Sequence, residues 1–129
     1  MDEMTKRTKL DAIYMVLKYA YGLAAIVIGL DKFFGYIVDW KMYVGQFVIQ
    51  IAPIGVTHLL YAIGTIEIVV GLLILSKFTR LGAYLVMTWF LVVVVNLLIM
   101  GQFMDIVLRD LLLAVGAWAL AQLAEIKEN

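Results

Sequence analysis

Glu67 sits inside a long apolar run from Val56 to Leu75. A carboxylate at the centre of a membrane-length helix costs roughly 2.5–3.5 kcal/mol on insertion scales, so such a group turns to the bundle interior and meets a partner. Few residues can meet it: Asp31 and Lys32 after the first apolar run, His58 at the start of the second, Trp89 and Asn96 in the third, and Arg109 and Asp110 at the start of the fourth. Arg109 is expected to reach down to Glu67 as a bidentate partner, with Lys32, Asp31 and Asp110 completing a network at the mouth. His58 beside Asn96 can hydrogen-bond a carbonyl ligand or titrate near neutrality. Each feature also has a plainer reading: the network staples four helices in register, and a helix-end histidine is simply solvated.

One histidine and no cysteine cannot build a usual metal or haem site, and no glycine-rich phosphate loop follows a strand. Thiol–disulfide chemistry is excluded on the same ground. Ten cations balance ten acids in 129 residues, so the composition makes no case for nucleic acid.

The elements that must position these residues are spanning helices. With 65% hydrophobic residues and a mean hydropathy of +1.02, the chain carries more apolar surface than a soluble domain of this size can bury. Four runs are long enough to cross about 30 Å of hydrocarbon: Ala12 to Leu30, Val56 to Leu75, Leu81 to Met100 and Ile106 to Ala124. The expected fold is all-α, a single-domain integral membrane four-helix antiparallel bundle. The charged first eleven residues lack a cleavage pattern, so no removable signal is predicted. Lys6, Arg7, Lys9, Lys77, Arg80 and Lys127 fall on one side of that topology and Lys32, Lys41 and Arg109 on the other, which predicts both termini on the cytoplasmic side.

Between the first two spans, Trp40, Tyr43, Val44, Phe47 and Ile51 follow a helical spacing, with Asp39, Gln46 and Gln50 opposite. This predicts one short amphipathic helix at the outer interface, ended near Ala52 by Pro53, which serves as a lid or as an aromatic anchor. Within the spans, Lys18, Gly22, Ala25, Gly29 and Lys32 share a face of the first helix, and Gly64, Glu67 and Gly71 share a face of the second. Small residues at that spacing admit a neighbouring backbone, and the two stripes suit each other. The polar groups gather in the outer half of the bundle, leaving little beyond Lys18 in the inner half.

Gly29, Lys32 and Phe33 closing the first span, Glu67 and Gly71 in the second, Thr79 and Arg80 in the tight turn, and Arg109, Asp110 and Leu111 opening the fourth together resemble the DoxX family of small four-helix membrane proteins. The resemblance covers nearly the whole chain. It implies a bundle in a bacterial or archaeal cytoplasmic membrane and a relation to subunits of thiosulfate:quinone oxidoreductase and other partners of redox enzymes.

Three readings of function follow. In the first, the chain is a membrane subunit that interacts with quinone beside a partner redox protein. The ligand-binding candidates are then Glu67, Arg109, His58, Asn96, Trp89, Lys32, Asp31 and Asp110, with Glu67 accepting a proton. In the second, it is a non-enzymatic assembly or anchoring subunit whose apolar outside recruits a larger complex; the expected partner is a redox protein or further copies of the chain in a homo-oligomer. The third resembles the small multidrug transporters, and nearby cations weaken it because a transporter carboxylate must be free to exchange its cation.

Overall fold

The computed structural model describes residues 1–128 and is helical throughout its regular structure among them. Its elements are α1 (Glu3–Phe34), a 3₁₀ turn (Trp40–Tyr43), α2 (Gln46–Ile51), α3 (Val56–Leu75), α4 (Thr79–Met100) and α5 (Met104–Glu128). The four long helices are each long and apolar enough to cross a bilayer, so the chain is a multi-pass membrane protein built as a four-helix bundle. Large apolar residues such as Leu23, Val27, Ile66, Val69, Val92, Val95, Leu112 and Val115 point outward, where lipid tails solvate them.

The helices neighbour one another in the cyclic order α1, α3, α4, α5, and each is antiparallel to its neighbours. One end of the bundle, the loop end, holds the connections α1–α3 and α4–α5. The other, the terminal end, holds the chain start and the α3–α4 turn.

The two best-packed pairs are held together by different means. In α1 and α3 the small-residue stripes mate as their spacing suggests. A Cβ on Gly29 would lie 2.6 Å from the Gly64 carbonyl oxygen, and one on Gly71 would lie 2.7 Å from that of Gly22. At those positions only glycine lets the backbones touch. In α4 and α5, side chains do the filling: Ala83 and Val86 meet Ala117, Leu120, Ala121 and Ala124 in one cluster, and Val94 and Leu97 meet Val107 in a second. Tyr21 ties α1 to α5 by donating its hydroxyl to the Leu113 carbonyl at 2.6 Å. A side chain at Gly116 would collide with that hydroxyl.

Helix ends follow local chemistry. The Asp2 side chain caps α1 by accepting from the Thr5 amide at 2.7 Å, which begins the helix nine residues before the apolar run does. Hydropathy measures the membrane-length part of a helix, and the charged first turns of α1 are good helix formers outside it. In the α3–α4 turn the buried Thr79 hydroxyl donates to the carbonyls of Ile74 and Ser76.

The segment between α1 and α3 departs from the single amphipathic helix expected there. It breaks at Val44 and Gly45 into the 3₁₀ turn and the short α2. The cause is Asn96 on α4, whose amide nitrogen donates to the Tyr43 carbonyl at 2.6 Å while its oxygen accepts from the Gly45 amide at 3.0 Å. Those two backbone groups are thereby withdrawn from continuous helix. The end at Ile51, before Ala52 and Pro53, agrees with the expected stop.

Candidate functional site

Glu67 pairs with Lys32 and not with Arg109. The Lys32 ammonium lies 2.5 Å from Glu67 Oε1, with the two side chains 6% and 12% exposed. The direction of side chains along a helix explains the choice. Every Cα–Cβ bond tilts toward its helix N-terminus, so Lys32, near the end of α1, leans down into the bundle, while Glu67, on antiparallel α3, leans up toward the loop end. Arg109 stands near the start of α5 and leans outward by the same rule. It also sits on the helix diagonal to α3. Its guanidinium bonds the neighbouring Asp110 carboxylate at 3.1 Å and is 63% exposed, so the expected Arg109–Glu67 pair does not form.

The Lys32–Glu67 contact meets the distance of an ion pair, yet Oε1 is buried without a hydrogen bond of regular geometry. Both observations hold at once: the two groups meet across a short gap, and the donor direction is poor. The carboxylate therefore retains accepting capacity in a dry setting, where such capacity matters most.

Above the pair, Asp31 organises the loop. Its Oδ1 accepts from the amides of Tyr36 at 2.8 Å and Ile37 at 2.9 Å, and its Oδ2 accepts from the Val38 amide at 3.1 Å and the Trp40 indole at 2.8 Å. Gly35, with φ of 69°, takes the left-handed conformation that turns the chain back over Asp31. The result sets the Trp40 ring 3.9 Å from the Lys32 ammonium. Asp31 is thus a loop organiser, and it does not complete a network with Asp110.

A cleft of about 280 Å³ opens beside this assembly, lined by Lys32, Phe33, Trp40, Lys41, Thr57 and Tyr61 among others. Phe33 and Tyr61 stack at 5.0 Å to form one wall. The cleft combines aromatic walls, a buried ammonium and a carboxylate behind it. Such a site can receive a planar apolar ligand, donate to its oxygen and take up a proton.

The remaining sequence candidates do not converge here. His58 is exposed and meets the edge of Tyr61, with ring centroids 6.4 Å apart, and among the described residues no hydrogen bond joins it to Asn96. Asn96 spends its amide on the backbone of Tyr43 and Gly45. Trp89 is half-buried on α4 and does not line the cleft. Asp110 is buried on the face of α5 that carries Val107 and Ala114, away from the Lys32 cleft.

Two features escaped the sequence. Trp40 reads as a membrane anchor by its spacing to Tyr43 and Phe47, whereas Gly35 and Asp31 upstream were the signal of a loop folding back. The terminal half also carries a polar cluster: Gln122 donates to the Tyr84 hydroxyl at 3.0 Å, that hydroxyl donates to Glu125 at 3.2 Å, and Arg80 lies 3.8 Å from the same carboxylate. Polar groups are therefore not confined to one half.

No family model, curated protein or solved structure matches the chain.

Proposed function

We propose that the chain is a DoxX-like membrane subunit of an oxidoreductase that holds a quinone head group in the Lys32 cleft. It exchanges electrons with a redox centre on a partner protein, in a bacterial or archaeal cytoplasmic membrane with both termini cytoplasmic. The observation that carries this reading is the buried Lys32–Glu67 pair with an undirected carboxylate oxygen, placed behind an aromatic-walled cleft at the loop end. The cleft volume of about 280 Å³ lies just below the roughly 300–1,000 Å³ of drug-sized ligand sites, so it suits a single ring whose tail stays in lipid.

The quinone supplies the two-electron chemistry. Lys32 donates to a ring oxygen, and the Phe33–Tyr61 wall orients the ring. A bound quinol would give two electrons to the partner's redox centre, and of its two protons Glu67 would take one and water at the loop end the other. The site is thereby narrowed to Lys32, Glu67, Phe33, Thr57 and Tyr61, with Trp40 beside Lys32. His58, Asn96, Trp89, Arg109, Asp31 and Asp110 hold no ligand in this reading.

The assembly-subunit reading has its own support, because Asp31 and Asn96 spend their polar atoms on the chain's own backbone. The transporter reading is weaker, since Lys32 already occupies the carboxylate. Glu67→Gln keeps shape and removes charge. It also leaves Lys32 without its countercharge and lowers the yield, so turnover is read per assembled complex, and in the quinone reading that quinol-dependent turnover falls. Full turnover with a lower yield of assembled complex would instead make the chain an assembly subunit.

A further inference from the structure

The Lys32 side chain is 6% exposed and lines the cleft. An ammonium has three N–H donors. Here one oxygen is met off the hydrogen-bond direction, and a neighbouring position is filled by the face of the Trp40 indole. A ring face attracts the charge but is a weak acceptor of a directed hydrogen bond. Lys32 and Trp40 line the same cleft. A ligand oxygen entering there offers the ammonium a better partner than the ring, and it competes for the ring's place.

The backbone around Trp40 is held independently of its side chain. Asp31 accepts three loop amides in addition to the indole, the Asp39 carboxylate accepts from the Lys41 amide, and Asn96 fixes the chain at Tyr43 and Gly45. The indole itself has one hydrogen bond, to Asp31 Oδ2. Its ring otherwise meets the Lys32 ammonium and, at 6.3 Å between centroids, Tyr43, contacts a swing can break while the loop stays in place.

We propose that Trp40 is a side-chain cover on Lys32, which closes the ammonium in the resting protein and swings aside when an acceptor oxygen of a ring ligand binds, with Asp31 as its latch. This rests on the ligand reading above and adds to it the residue that controls entry. Trp40 is here a positioning residue: it acts on the ligand through Lys32.

The test follows the Lys32 ε-methylene NMR signal in the selectively labelled full chain in lipid nanodiscs, assigned through Lys32→Arg, while a short-tailed benzoquinone is added. A covering ring shifts that signal upfield by its ring current. The expected result is an upfield signal in the resting protein that returns to the ordinary lysine position as benzoquinone binds. Trp40→Ala should then bind the same probe roughly tenfold faster, the scale of one partly desolvated cation–π contact. Should Trp40→Ala fail to fold, Trp40→Phe keeps a ring without the latch and should still bind faster than the native chain. An unshifted resting signal, or one unmoved by bound probe, overturns the cover and leaves the ligand reading standing. Equal association rates in native and variant protein overturn it too. Binding to neither protein overturns both.

Discussion

The α1–α3 pair and the α4–α5 pair meet the same lipid with opposite strategies. In α1–α3 the backbones touch through glycine, and the interface carries the Lys32–Glu67 ion pair. In α4–α5 the gap is filled by alanine, valine and leucine. Within lipid there is little hydrophobic drive between helices, so both pairs depend on close packing and polar contacts. The contrast explains where chemistry can sit. Close backbones at Gly29 and Gly64 bring Lys32 and Glu67 near enough to pair, and the loop above supplies Trp40. The α4–α5 pair is a wall, closed at the terminal end by Tyr84, Gln122 and Glu125.

The contrast breaks first if the charged interface tolerates loss of its cation. Lys32→Met strands a buried carboxylate and should destabilise the protein by about 3–5 kcal/mol, read from unfolding in mild detergent titrated with denaturant. A loss below about 1 kcal/mol would mean that Glu67 does not need Lys32.

Next in size are substitutions that exchange the two packing logics. Gly64→Ala adds one methyl against the Gly29 carbonyl and should cost roughly 1–3 kcal/mol through overpacking. Leu120→Ala empties a fully buried position of the wall. Its cost should be about 1–2 kcal/mol, below the 2–5 of a water-soluble core, because lipid solvates an unfolded leucine as well as the interior does. If growth is harmless in α1–α3 and shrinkage is harmless in α4–α5, the distinction has no energetic content.

The smallest effect lies at the chain start. The Thr5 amide hydrogen bond holds the Asp2 carboxyl below its ordinary pKa. A group depressed on folding stabilises the folded form above its unfolded pKa, and that contribution is lost as pH falls through the folded value. Acidification below pH 4 should therefore lower the protection of the Thr5 amide, its exchange relative to the intrinsic rate at each pH, and leave the spans unchanged. Protection at Thr5 that ignores pH would remove the cap from the account.

Much of the architecture was legible because apolar run length and glycine spacing act locally. The α3 limits, Val56 to Leu75, coincide with the apolar run, and the mating of the Gly22, Gly29 stripe with Gly64, Gly71 follows from small residues four and seven apart. The ion pair required more than spacing. Arg109 offers the better bidentate chemistry, but its Cβ points away from Glu67, whereas Lys32 lies at the same helix end and points toward it. Cβ direction is readable once topology is assumed, so this partner was within reach of the sequence. The break at Gly45 was not, because Asn96 lies 51 residues away and only the folded bundle brings its amide to that backbone. Asp31 was misplaced in the same way, its oxygens being claimed by a loop whose return path depends on Gly35.

The most direct test of the central claim, that Lys32 and Glu67 form one unit apart from Arg109, is a pair of double-mutant cycles on stability in lipid nanodiscs. One combines Lys32→Met with Glu67→Gln, and the other combines Arg109→Ala with Glu67→Gln. The account predicts a coupling of about 2 kcal/mol or more in the first, with the double variant recovering much of the loss from Lys32→Met. In the second it predicts additivity within about 0.5 kcal/mol. Additive losses at Lys32 with strong coupling at Arg109 would contradict the structure and return the carboxylate to the partner its sequence first suggests.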